Sequence, residues 1–255
     1  MSELSHVHLA ATAQGFGFLS AEVLAAMKVS LPVLQHEYGL AKMYVWGKLK
    51  GMSADYLIAV GVAHSLKESG KKYFYCLDGA SWAQMPEIDA ETAHACGTIS
   101  PVAKLTGDAQ FVYTVAKVPA EGEELAEEEL TRKITEDVRA AYLVKQIDAE
   151  IAMLPVGAII PDPKLGVPVV NTTFEGLGTE ASLALGSWEL LGGMSASLQL
   201  VGSLKSKHIA SASLSVVRSL IWPGFAAYCV PGQSTAGYAY VGDGFKNADI
   251  AFCLP

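Results

Sequence analysis

The stretch "SLSVVRSLIWPGFAAYCVPGQSTAGYAYVGDGFKN", residues 213–247, decides the fold. Runs of Val, Ala, Tyr and Phe alternate there with Pro223-Gly224, Gly232-Gln233-Ser234 and Asp243-Gly244, residues that set or permit the backbone angles of turns. That alternation predicts an antiparallel meander. Its last corner, "YVGDGFKN" (240–247), carries two glycines one residue apart after an aromatic run, as many phosphate-cradling loops do. A phosphate loop needs a helix behind it, so that free N–H groups and the helix dipole converge on the anion. Only "ADIAFCLP" follows, against the roughly 30 residues of a βαβ unit, so Asp243-Gly244 is predicted to be a tight turn between strands.

The N-terminal half repeats the pattern. "KMYVWGKLKGMSADYLIAVGV" (42–62) places aromatic and β-branched residues on either side of Lys50-Gly51-Met52-Ser53 and predicts a strand, a turn and a returning strand. "KKYFYCLDGASWA" (71–83) predicts a further strand ending at the hairpin signal Asp78-Gly79. "AQFVYTVAKV" (109–118) is another apolar run. Ahead of these, Ser20 can cap a helix in which Val23, Leu24, Met27, Leu31 and Leu34 form one stripe, with Pro32 expected to kink or divide it and Gly39 to end it.

A second helix is predicted within "EGEELAEEELTRKITEDVRAAYLVKQIDAEIAML" (121–154), where Leu130, Ile134, Val138, Ala141, Val144, Ile147 and Ile151 keep helical period. The acidic residues crowd its front, where they suit the positive end of the dipole and read as a solvated face, with docking of a basic partner as the alternative. "PVGAIIPDPKLGVPVV" (155–170) reads as irregular, Thr179 as the cap of a short helix, and residues 192–213 as loop with one strand. The expected fold class is α+β: antiparallel sheets and hairpins with a few packed helices in a single unit. Residues 1–19 are expected to be a loose N-terminus and 20–255 one domain.

Composition narrows the function. The chain has 255 residues, enough to bury roughly 75% of its unfolded surface without a disulfide or metal staple. A net charge of −8 and a pI of about 5.2 argue against nucleic acid and anionic lipid as partners. The start, "MSELSHVHLAATAQ", lacks a basic region followed by an apolar core, and no run of about 18 apolar residues occurs, so a soluble intracellular chain is expected.

Chemical motifs are sparse. Cys76, Cys96, Cys229 and Cys253 form no CxxC pair and are read as buried reduced thiols. No GxSxG elbow is present, and the nearest pairing, Ser203 with His208, falls in one loop. Of six histidines only His6 and His8 are close together, too few for a metal centre. Glu127, Glu128 and Glu129 face several directions and create no shared buried site. Asn171-Thr172-Thr173 matches a glycosylation sequon and is read as unmodified. No catalytic residue, cofactor or metal is therefore expected.

Three blocks, "YVWGKLKGMSADYLIAVGV" (44–62), "VNTTFEGL" (170–177) and "VVRSLIWPGFAAYCVPGQSTAGYAYVGDGFKNADIAF" (216–252), with "QIDAEIAMLPVGA" between the first two, resemble the radial spoke head protein 9 family of motile cilia and flagella from Ser20 onward. The block from Arg218-Ser219 to Trp222-Pro223-Gly224 also resembles the spoke head proteins of the 4/6 type. Residues 178–213 depart from the family, whose members are longer and more charged there. The resemblance implies a non-enzymatic subunit of the radial spoke head in the cytoskeleton of the ciliary axoneme. Its implied partners are spoke head proteins of the 4/6 type, with contact to the central pair apparatus through the assembled head and relay toward dynein. It supplies no catalytic residues. Trp46, Trp222, Pro223, Gly224 and Gly244 are the positions on which the fold is expected to depend. The alternative is an enzyme or ligand-binding protein with a pocket invisible in the sequence.

Overall fold

The computed structural model describes residues 19–63, 66, 70–100, 103–116, 131–191, 203–210 and 213–249. Residues 1–18, the acidic run 121–130, His6, His8, Leu130 and Cys253 lie outside the described residues.

The predicted antiparallel runs form two meanders. The first comprises β1 (Lys42–Leu49), β2 (Tyr56–Val62), β3 (Lys71–Cys76) and β4 (Ala83–Gln84); the second comprises β11 (Leu204–Ile209), β12 (Leu214–Ser219), β13 (Phe225–Cys229) and β14 (Ala236–Gly242). Within each meander every neighbour pairs antiparallel, as short connections require. The two fuse where β1 and β14 run parallel, Gly47 beside Tyr240 and Leu49 beside Gly242. The result is one eight-stranded sheet in the order β11-β12-β13-β14-β1-β2-β3-β4. This parallel seam has no signature in either stretch alone.

At the seam β1 carries a bulge between Val45 and Gly47. Gly47 sits at φ +149°, and a Cβ there would stand 1.9 Å from the carbonyl oxygen of Tyr240. Only a residue without a side chain lets the strands approach so closely.

Helix α1 (Ala21–Glu37) begins at Ser20, whose hydroxyl accepts from the Val23 N–H at 3.2 Å. Its stripe of Leu24, Met27, Leu31 and Leu34 is buried, and the last three pack on Val45, Leu57, Ala59 and Phe74. Each such side chain contributes about 1.5–3 kcal/mol on burial. Pro32 neither ends nor divides the helix. It lies on the exposed side, where water can satisfy the carbonyl of Lys28 that its missing N–H leaves free. Gly39, at φ +59°, follows the end as expected.

On the other face lies α3 (Glu136–Ile151), with Val144, Ile147 and Ile151 buried against Trp46, Ile58, Tyr238 and Tyr240. With a helix on each face, β2 is buried at all seven positions. The α3 helix starts later than its periodicity suggests. Thr131–Thr135 form β6, paired antiparallel with β5 (Val112–Ala116), and Ile134 packs with Cys96 and Val115 instead of continuing the helical stripe. Cross-strand contact with Tyr113 outweighs the helical period there.

The helix α2 (Ala90–Thr98), capped by Asp89 accepting from the Thr92 N–H at 2.6 Å, was not anticipated. Nor were β7 (Met153–Pro155) and β10 (Trp188–Leu190), which pair with each other, or β8 (Ile159–Pro161) and β9 (Pro168–Val170), which pair within the segment 155–170 expected to be irregular. Thr179 opens the short helix α4 (Thr179–Leu183) as its first residue, not its cap; Gly178 holds the cap position without a side-chain bond. The described fold is a single α+β unit, as expected.

Candidate functional site

The chemistry-bearing residues of this chain gather on α3, whose acidic side chains are spent on the sheet. Asp148 is buried and accepts from the Trp46 indole at 3.2 Å, the Tyr73 hydroxyl at 2.8 Å, the Tyr238 hydroxyl at 2.5 Å and the Lys71 ammonium. These donors come from β1, β3 and β14, so one carboxylate ties both meanders to the helix. Burial pushes its pKa up, but the Lys71 charge and hydrogen bond and the hydroxyls of Tyr238 and Tyr73 outweigh burial and hold it below the usual range.

Glu136, wholly buried at the first position of α3, accepts from the backbone N–H groups of Thr106 and Gly107 at 2.7 Å and from the Thr106 hydroxyl at 2.9 Å. The hydroxyls of Tyr56 and Tyr113 add bonds of 2.8 and 2.6 Å. Against the opposing effect of burial, this shell lowers its pKa. Conversely Tyr113 is raised to about 12 by burial and by its bond to Glu136. Glu150 accepts from the Trp222 indole at 2.9 Å and from the Lys246 ammonium at 2.8 Å, and its pKa is also lowered in spite of burial.

A carboxylate that acts as a general base needs a free lone pair aimed at a substrate. These carboxylates are already engaged by the protein's own donors, and none lines the described cavities of about 700, 320 and 410 Å³. Among the described residues no three His, Cys, Asp or Glu side chains converge as metal ligands. Cys76, Cys96 and Cys229 are free and buried, and burial raises their thiols to about 12, 11 and 11. His208 lies on β11 and meets the Ser215 hydroxyl at 3.2 Å. Ser215 in turn contacts Ser182 at 2.7 Å, a buried pair of hydroxyls. The Asn171 amide donates to the Gly157 carbonyl at 2.8 Å, which locks the sequon side chain onto its own loop.

The residues singled out from the sequence are distributed along the seam and its flanks. Trp46 and Trp222 are almost wholly buried and deliver their indole N–H groups to Asp148 and Glu150. Pro223 and Gly224 form the turn before β13; Gly224 has φ +106°, and a Cβ there would meet the Val241 carbonyl oxygen at 2.3 Å. Gly244 has φ +75°. Contrary to expectation, its turn is not a hairpin corner among the described residues: no described strand follows β14. The chain instead folds back so that the Asn247 N–H reaches the Ile221 carbonyl at 2.7 Å. The sequence reading missed Asp148, Glu136 and Glu150 because their buried partners come from remote strands. The available signal was a carboxylate on the apolar side of a helix: Asp148 directly follows Ile147.

No family model matches the chain. Curated proteins do. It is 31% identical to the radial spoke head protein 9 homolog of Mus musculus, 32% to that of Xenopus tropicalis and 30% to that of Homo sapiens, each over 92% of this chain and 93% of the relative. The chain belongs to the radial spoke head protein 9 family. Its setting is that of the family, the axoneme of cilia and flagella. Two of the three blocks that carry the resemblance, 44–62 and 216–252, hold most of β1 and all of β2, β13 and β14 and so include both sides of the parallel seam, while "QIDAEIAMLPVGA" carries Asp148 and Glu150. Among the described residues no helix is long and apolar enough to cross a membrane.

Proposed function

We propose that the chain is a non-enzymatic structural subunit of the radial spoke head, a rigid body that binds other spoke head proteins and takes part in relaying signals from the central pair to dynein. Membership in the radial spoke head protein 9 family over nearly the whole chain carries this reading. The saturated carboxylates of α3 support it, since they stiffen the body and are not poised for chemistry. The first partner is a spoke head protein of the 4/6 type, and contact with the central pair is made through the assembled head.

Fractionation of purified cilia tests the assignment. The chain should remain with the axoneme after detergent removes the membrane; recovery wholly in the soluble matrix overturns it. The cavity of about 700 Å³ beside Lys71, Met85 and Lys145 is within the size range of small-molecule sites and favours a second reading, a ligand-binding protein. A thermal-shift series with nucleotides and divalent metals separates the two. A true ligand at 100 times its Kd adds about 2.7 kcal/mol, whereas the structural reading expects no saturable shift.

A further inference from the structure

The cavity of about 700 Å³ lies between α3 and the β3–β4 end of the sheet. Lys71 and Tyr73, two residues apart on β3, share one face of the strand and line it, as do Ala141 and Lys145, one turn apart on α3. Met85, Pro86 and Ile88 form an apolar wall. That wall is fixed at both ends: the Met85 N–H bonds the Tyr73 carbonyl at 2.9 Å, and Asp89, directly after Ile88, caps α2. The cavity is therefore built into the fold, as small-molecule sites usually are.

Its polar demand is set by one group. The Lys71 side chain is 3% exposed, and its ammonium carries three N–H donors, yet among the described residues it donates to Asp148 alone. Asp148 is filled in return: Trp46 and Tyr238 donate to one oxygen, Lys71 and Tyr73 to the other. What this end of the cavity has to offer is therefore two buried donors. A ligand oxygen that accepts from them replaces solvent there and fixes the orientation of the ligand.

The charge of that ammonium is already answered by Asp148. A second carboxylate on it would face Asp148 at close range, and Glu87 on the lining would add to the repulsion. Lys72 does not offset this, because its ammonium stands 5.9 Å over the Tyr38 ring on the other face of β3, and Lys145 has an interaction of its own. A neutral oxygen takes the two donors without that cost. We propose that the cavity binds a small, largely apolar molecule ending in a neutral carbonyl group, whose oxygen accepts from Lys71 while its body lies against Met85, Ile88 and Ala141. The proposal deepens the ligand-binding reading of this cavity and rests on it; it assigns no catalysis.

Three probes of similar shape test it on the purified full chain: 4-phenyl-2-butanone, 4-phenylbutan-2-amine and 3-phenylpropanoate, which present a carbonyl, a cation and an anion. The methyl signals of Met85 and Ile88 are followed by NMR. The ketone should shift both signals saturably, the carboxylate should bind more weakly, and the amine should bind about tenfold more weakly, the factor that one hydrogen bond to a charged group supplies. The variant K71M/D148N removes both charges together and, with its melting curve checked, should lose about tenfold in affinity for the ketone. The comparison of probes on the wild-type chain decides the matter even where that variant does not fold. Absence of a saturable shift with the ketone, equal binding of ketone and amine, a carboxylate that binds as tightly as the ketone, or unchanged affinity in a folded double variant would each overturn the proposal. A saturable thermal shift with a nucleotide or metal beside a silent ketone overturns the carbonyl class alone, whereas silence in both series overturns the ligand-binding reading as well.

Discussion

Individual residues on the seam carry disproportionate weight because each satisfies a polar requirement and fills space. Trp222 is 1% exposed and also supplies a donor to Glu150. Trp222→Ala should cost about 3–5 kcal/mol and lower the denaturation midpoint accordingly. An unchanged midpoint with loss of partner binding would make Trp222 an interface anchor instead. Asp148→Asn leaves the Lys71 ammonium buried without its counter-charge and should cost about 3–5 kcal/mol. Adding Lys71→Met to that variant should recover part of the loss, a coupling readable in a double-mutant cycle. For the glycines the expected penalties differ in cause. At Gly244 the backbone angle itself penalises a Cβ by about 1–2 kcal/mol, its nearest neighbour being a movable Leu143 methyl at 3.1 Å. At Gly242 the angle is ordinary, but a Cβ would meet the Pro223 carbonyl oxygen at 2.5 Å. Both Gly→Ala variants should therefore melt lower than wild type, and nucleotide should shift neither.

At the scale of elements, α3 is the member whose attachment depends on pH. Glu136, Asp148 and Glu150 all have folded-state pKa values below their ordinary ones, so as the pH falls the unfolded chain takes up protons first. Stability from these groups is fully present above about pH 4.5 and is lost progressively as the pH drops through the folded-state values. The partner phenols act at the other limit. Tyr56 and Tyr238 are raised by burial and by the carboxylates beside them, so above about pH 10 the unfolded chain loses protons first and stability falls again. Denaturant midpoints from pH 2 to 11 should trace a plateau with two shoulders, and Asp148→Asn should flatten the acid shoulder. At α1, Ser20→Ala removes the cap on Val23 and should cost about 0.5–2 kcal/mol, measurable as a lower midpoint with an unchanged denaturant slope.

For the whole molecule the relevant measurement is assembly. A mean hydropathy of +0.30 is high, and the surface exposes Val29 and Val33 on α1 and Leu165 between β8 and β9. Exposed apolar side chains of this kind await a partner when they cluster. Co-expression with a 4/6-type spoke head protein should give a stoichiometric complex by light scattering. Separate elution of the two proteins at micromolar concentration would rule out direct pairing.

The sequence by itself determined the two meanders, the α1 helix and its cap, and the family, because each depends on residues a few positions apart. Ser20 meets Val23 three residues on, and the turn at Lys50-Gly51-Met52-Ser53 joins adjacent strands. What only the tertiary structure decided is how the halves meet. Gly47 meets Tyr240 from the opposite half of the chain, and Asp148 draws its donors from Trp46, Lys71, Tyr73 and Tyr238. The helical period at Ile134 yielded to strand pairing with Tyr113, and after Gly244 the described chain folds back onto Ile221. Local spacing fixes which backbone angles are cheap, but a buried charge or a parallel seam is stable only through groups supplied from far along the chain.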